Sequence, residues 1–175
     1  MVLIGFMGCG KTSVGLRLSF RLRKAIEDTD KIIEQREGRS INDIFARDGE
    51  EYFRQAETQL LRDLAGCAVN QIISVGGGTP VRPENRELLK RIGTVVYLRV
   101  QPLTVCERLK GDDTRPLLKG DNPLEKITQL LGQRSAAYEE AADLVVDVDG
   151  LDMEEVLELI VDGLKARRLK STGRK

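Results

Sequence analysis

The run Gly5-Phe6-Met7-Gly8-Cys9-Gly10-Lys11-Thr12 follows the apolar triplet Val2-Leu3-Ile4 and leads directly into a helical pattern from about Lys11 to Leu22. It fits G-x-x-x-x-G-K-[ST], and it stands where that pattern has physical meaning, between a strand and a helix. Glycines let the backbone curl until successive N–H groups converge on a phosphate, and the helix behind them adds the positive end of its dipole. Lys11 supplies a charge for the β and γ phosphates of a nucleoside triphosphate. Thr12 offers a hydroxyl to Mg²⁺, and Ser13 can donate to the α-phosphate. A glycine-rich turn with a surface lysine is the plainer reading, and pattern and context together set it aside.

The rest of the chain alternates short β-rich runs with helical ones. Strands are expected at Ala25-Ile26 running to Asp28-Thr29-Asp30, at Ile72 to Val75, at Thr94 to Val100 and at Leu144 to Val148. Helices are expected at about Asp30 to Glu37, Ile41 to Arg47, Glu50 to Ala65, Pro83 to Arg91, Pro102 to Leu109, Pro123 to Glu140 and Leu151 to Ala166. Five strands, each followed by helix, predict an α/β fold of three layers: a central five-stranded parallel sheet with helices on both faces. The 175 residues suit one domain. Its expected parts are an acceptor-binding region at about 31–61, a mobile polar lid at about 110–122 and a basic tail that frays over 168–175.

Composition narrows the chemistry. Lys plus Arg (28) equals Asp plus Glu (28), so nothing favours a protein that coats nucleic acid or an anionic membrane. There is no histidine, which removes Ser-His-Asp and Cys-His systems and every His-containing zinc site. Cys9, Cys67 and Cys106 form no Cys-x-x-Cys pair and suit a reducing cytoplasm. No run approaches the ~18 apolar residues that span a bilayer, and the apolar start has no basic segment before it, as a signal peptide would. Without an obvious apolar stripe left over, a monomer is expected.

A GTPase would need an Asn/Thr-Lys-x-Asp segment to read guanine, and none occurs. A small kinase of metabolites or nucleotides fits better, and four features sharpen that reading. Asp28 and Asp30 end the expected second strand beside the phosphate loop, where one can serve a metal and the other a substrate; capping of the next helix is the simpler alternative. Arg54 and Glu57 lie on one helical face, as a surface ion pair also would. Gly76-Gly77-Gly78 follows an apolar strand, where three glycines imply a tight loop or close backbone approach. Arg115 in the polar loop can clamp transition-state charge, with Arg134 on the helix that follows, although both also suit solvated surface.

Together with Gly49-Glu50-Glu51-Tyr52-Phe53-Arg54, Arg115-Pro116-Leu117-Leu118 and Arg134 to Tyr138, these features resemble the shikimate kinase family of small, nucleoside monophosphate kinase-like P-loop kinases. The resemblance covers all but the last eight or so residues. It implies transfer of phosphate from ATP to the 3-hydroxyl of shikimate, on the route to chorismate and the aromatic amino acids, with Mg²⁺ as cofactor. It further implies that Gly8, Cys9, Gly10, Lys11, Thr12 and Ser13 hold the ATP phosphates. Thr12 would bind the metal, with Asp28 near it through water. Asp30 would hydrogen-bond the reacting hydroxyl, Arg54 and Arg134 would grip the carboxylate, and Glu57 would hold Arg54. Gly76, Gly77 and Gly78 would line the substrate, Gly77 through backbone. Arg115 would close over the phosphates, and Arg108 matches the arginine that stacks on adenine. The four residues before Gly5 make a shorter first strand than the family's usual run.

The implied chemistry is physically coherent. Guanidinium forks suit a carboxylate and an aspartate suits hydroxyls. Phosphoryl transfer has a loose transition state, so positioning and charge neutralisation dominate and a strong base is unnecessary. A kinase of gluconate or of a nucleoside monophosphate is the rival within enzymes, and an ATP-sensing module is the rival outside them.

Overall fold

Apolar runs without alternation have to be covered on both sides, and a parallel sheet between helices does this. The computed structural model describes residues 1–67, 70–110 and 122–172. Its strands are β1 (Val2–Ile4), β2 (Ile26–Asp28), β3 (Ile72–Ser74), β4 (Val95–Arg99) and β5 (Leu144–Asp147), in the order β2-β3-β1-β4-β5. Every neighbouring pair is parallel, with Val2 beside Ile73 on one side and Val95 on the other. All three residues of β1 are 0 % exposed, which makes it the centre of the main core.

The helices are α1 (Lys11–Leu22), α2 (Thr29–Glu37), α3 (Ile41–Gly66), α4 (Pro83–Ile92), α5 (Pro102–Arg108), α6 (Pro123–Ala141) and α7 (Met153–Thr172). Topology decides their layers. The β1-to-β2 crossover steps one way along the sheet and the three later crossovers step the other way. Since such crossovers are right-handed, α1 lies on one face, and the helices between β2 and β5 lie on the opposite face. Accordingly α7 packs on α1, while α4 packs on α3 and α6. Adjacent strands β1 and β3 thus send their chains to opposite faces, which opens a crevice at their carboxyl ends.

Three local features depart from or refine the sequence reading. The second strand ends at Asp28, whose Oδ1 accepts from the Asp30 N–H and caps α2. Asp30 therefore stands in the first turn of a helix and not on the strand, so the helix-capping alternative holds for Asp28. The two helices expected around Gly49 form one element broken at that residue, where φ 82° and ψ 173° suit glycine alone. The break lets Ile44 and Phe53 both turn inward and join Ile33 and Leu60 in a second small core. Finally, α7 continues to Thr172. Arg167 donates to the Asp143 carbonyl at 2.7 Å and to its Oδ1 at 2.6 Å, which ties this helix to the start of β5. On α1, Leu16 and Phe20 remain exposed, one turn apart.

Candidate active site

The crevice between β1 and β3 is floored by the loop that leaves β1. Gly8 (φ +74°) and Gly10 (φ +100°) occupy the left-handed region, and Gly10 is the N-cap of α1. A glycine there brings no side-chain cap, so the first N–H groups of α1 are left for a ligand. Lys11 Nζ donates to the carbonyls of Gly5 at 2.8 Å and Phe6 at 3.2 Å, and also lies 3.9 Å from Cys9 Sγ. Cys9, within this loop, has its side chain buried in the main core. A cavity of about 560 Å³ opens above these residues. Gly8, Cys9, Gly10, Lys11, Thr12 and Ser13 line it on one side, with Asp28, Asp30, Gly76 and Gly77 opposite and Arg108 at the far end.

Asp30 is the most perturbed acid in this cavity. Its Oδ1 is buried and has no hydrogen-bond partner among the described residues. Burial, and then the carboxylates of Asp28 and Glu57, push its pKa up to about 6 against the opposing pull of Lys11 and Arg54. Such an orphaned acceptor costs stability unless something else uses it. Gly76 explains how it fits: a Cβ there would come within 2.8 Å of Asp30 Oδ1 and 3.0 Å of Glu57 Oε1. Any side chain at 76 would occupy the space between the two carboxylates.

Arg54 and Glu57, one turn apart on α3, form a pair in which Nη1 donates to Oε2 at 2.6 Å. The Glu57 side chain is only 1 % exposed, so this is a buried pair rather than the surface pair that the spacing also allowed. Glu50 accepts from the outer side of the same guanidinium. Burial works against the Arg54 charge, but Glu57 and Glu50 more than offset it and hold its pKa above the usual value. Gly78 leaves room for a different group than Gly76, since a Cβ there would meet Arg54 Nη1 at 2.5 Å. Gly77 would tolerate one better, its nearest neighbours being Gly5 O at 3.4 Å and Met7 N at 3.6 Å.

Arg108 reaches between the phosphate loop and the β5–α7 loop, donating to Gly8 O at 3.2 Å and Val148 O at 3.3 Å. Val148, Leu151 and Met153 line that end of the cavity, whereas Asp149 is turned away to accept from the Gln101 N–H. Arg134 sits on α6 with its guanidinium 5.9 Å from the centre of the Phe6 ring. Arg54, Glu57, Gly78 and Arg134 are not among the residues that line this cavity: Arg54 lies against Gly78, Glu57 beside Gly76, and Arg134 over Phe6. Arg115 and most of the expected lid lie outside the described residues.

Several contacts here had no sequence signal. The Gly76 N–H donates to Thr29 Oγ1 at 3.3 Å, and the Tyr138 hydroxyl to Gly77 O at 2.5 Å. Tyr138 is 0 % exposed, and burial raises its pKa, so it stays a donor. A larger cleft of about 1050 Å³, around Met1, Lys24 and Thr94 at the amino ends of the strands, contains none of the motif residues.

The donor set suits a hard cation. Thr12 and Asp28 both bring oxygen atoms to this one cavity. That pattern matches Mg²⁺, which keeps its waters and takes substrate phosphates as ligands.

A parallel sheet whose central strand opens onto a lysine-bearing glycine turn, with a carboxylate across the crevice, is the frame of the P-loop kinases, and the chain is one of them. The family model described as shikimate kinase matches residues 7–165. The chain belongs to the shikimate kinase family. It is 43% identical over 165 residues to a shikimate kinase of Pelotomaculum thermopropionicum, covering 94% of this chain and 95% of the relative. Its fold matches the shikimate kinase of Acinetobacter baumannii solved in complex with shikimate, with TM-score 0.88 and 34% identity over 96% of this chain and 93% of that one. A gluconokinase from Sinorhizobium meliloti shares the fold alone, at 18% identity and TM-score 0.61, over 98% of this chain and 93% of that one.

Proposed function

We propose that the chain transfers the γ-phosphoryl group of ATP to the 3-hydroxyl of shikimate, giving shikimate 3-phosphate and ADP. The observation that carries this reading is the buried Oδ1 of Asp30, without a partner among the described residues, in the cavity that the phosphate loop lines, in a chain of this family. Asp30 accepts a hydrogen bond from the reacting hydroxyl and takes its proton late, as the bond from oxygen to phosphorus forms and the bond to ADP breaks. Its pKa near 6 leaves it ionised at neutral pH yet basic enough to hold that proton.

The N–H groups at the start of α1 and the Lys11 ammonium hold the phosphates and stabilise charge on the group in transit. Thr12 would hold Mg²⁺ directly and Asp28 through water; the ion, when bound, neutralises charge on the β and γ phosphates. Arg54 and Arg134 grip the acceptor carboxylate as bidentate or paired donors. Gly76, Gly77 and Gly78 line the acceptor, and Glu57 holds Arg54. Arg108 lies along the adenine end, and Arg115 closes over the phosphates, excluding water that would otherwise take the phosphoryl group.

In this reading residues 31–61 bind the acceptor, residues 110–122 form the lid, and the whole chain works as a single domain. A monomer in the cytoplasm completes it, in keeping with three unpaired thiols and, among the described residues, no helix long and apolar enough to cross a membrane. The test is ADP release with ATP and Mg²⁺, with and without shikimate, beside gluconate and a nucleoside monophosphate. Release that depends on shikimate alone is expected; equal release without an acceptor, or preference for another one, refutes the proposal.

A further inference from the structure

Beside the glycine loop lies a buried polar cluster of Thr79, Glu57, Asn85 and Thr58. The loop ends in a 3₁₀ turn, Thr79–Val81, and Thr79 is 1 % exposed. Its hydroxyl donates to Glu57 Oε1 at 2.5 Å, leaving Glu57 Oε2 for Arg54. Asn85, at 0 % exposure in the first turn of α4, donates from Nδ2 to Thr79 O at 2.9 Å. Its Oδ1 faces the hydroxyl of Thr58 at 2.8 Å, on α3 next to Glu57.

Chemistry fixes these directions. The Thr79 carbonyl can only accept, so the amide nitrogen of Asn85 must face it and the amide oxygen must face Thr58. Thr58, which also lies 3.0 Å from the Arg54 carbonyl on its own helix, then turns its one hydrogen to Asn85, and the ring α3–Asn85–Thr79–Glu57–α3 closes. Glu57, a buried carboxylate, has both oxygens engaged: one by a neutral hydroxyl and one by a guanidinium. Removing the hydroxyl leaves Oε1 unpaired in a dry site, and the carboxylate then has reason to swing both oxygens onto Arg54. The guanidinium is also packed against Gly78, so such a swing would turn it away from the acceptor.

We infer that Thr79 and Asn85, with Thr58, are positioning residues for the acceptor carboxylate: they fix Glu57, which aims Arg54. The inference rests on the proposed function and adds to it residues that touch no substrate.

The test compares the unmodified chain with Thr79→Val and Thr79→Ser. KM for shikimate should rise about tenfold in Thr79→Val, the scale of a weakened charge-assisted hydrogen bond, with KM for ATP unchanged and kcat within about twofold. Thr79→Ser, which restores the hydroxyl, should return KM for shikimate to within about twofold. Shikimate methyl ester gives a second readout: the unmodified chain should discriminate acid from ester, and Thr79→Val should discriminate several-fold less. Should Thr79→Val fail to fold, Thr79→Ala carries the same comparison. A lowered melting temperature with unchanged KM for shikimate and unchanged ester discrimination overturns the inference, because it reports packing alone. Absence of shikimate turnover in the unmodified chain overturns the functional reading, and this inference with it.

Discussion

Asp30→Asn should make the protein more stable and less active, and the gain should depend on pH. The folded chain binds the Asp30 proton more tightly than the unfolded chain, since the pKa rises from 3.8 to about 6. An acid with a raised folded pKa costs stability when ionised: the penalty is complete above about pH 6 and fades as pH falls towards 3.8. About two units at 1.36 kcal/mol each give roughly 3 kcal/mol at pH 7.5 and under about 1 kcal/mol at pH 4. Asparagine keeps the shape but carries no charge beside Asp28 and Glu57, so it escapes the penalty. Urea denaturation of both proteins at the two pH values measures the difference, and turnover at pH 7.5 should fall far more than ATP affinity. A gain of equal size at both pH values, or a loss at pH 7.5, would show that burial and the neighbouring carboxylates do not govern this group.

Three further outcomes follow from the site. Lys11→Ala should lose nearly all turnover while circular dichroism stays unchanged, since the charge meets the phosphoryl group in transit; retained turnover would remove the lysine from the chemistry. Arg134→Ala should raise KM for shikimate without changing KM for ATP, and equal shifts in both would place the arginine elsewhere. Gly78→Ala should raise KM for shikimate by displacing the Arg54 guanidinium, which a Cβ would approach to 2.5 Å. Initial rates across a shikimate series decide it, and an unchanged KM would mean that the arginine can relocate without loss.

What the sequence made legible was mostly local. The phosphate loop is contiguous, and its glycines and lysine carry their chemistry in their spacing. The glycine triplet was readable because three unsubstituted positions in a row need a reason, and Asp30 and Glu57 beside Gly76, with Arg54 beside Gly78, now supply two. Asp30 was placed on a strand because one short carboxylate looks the same from sequence whether it ends a strand or caps a helix. The Thr79 and Tyr138 contacts could not be read, because they join residues 22 and 61 positions apart, and only the packing of α3 and α6 against the loop brings them together. The extension of α7 past Ala166 is hidden from the sequence for the same reason: Asp143, just before β5, holds Arg167 from 24 positions away.

The buried thiol of Cys9 has a practical corollary. Cys67 is exposed and Cys106 half-buried, whereas Cys9, within the phosphate loop, has its side chain buried in the main core. A maleimide dye would tag the first two quickly and the third only when that loop lifts away. The chain thus carries its own timer for breathing at the nucleotide end, readable by mass spectrometry without engineering a label.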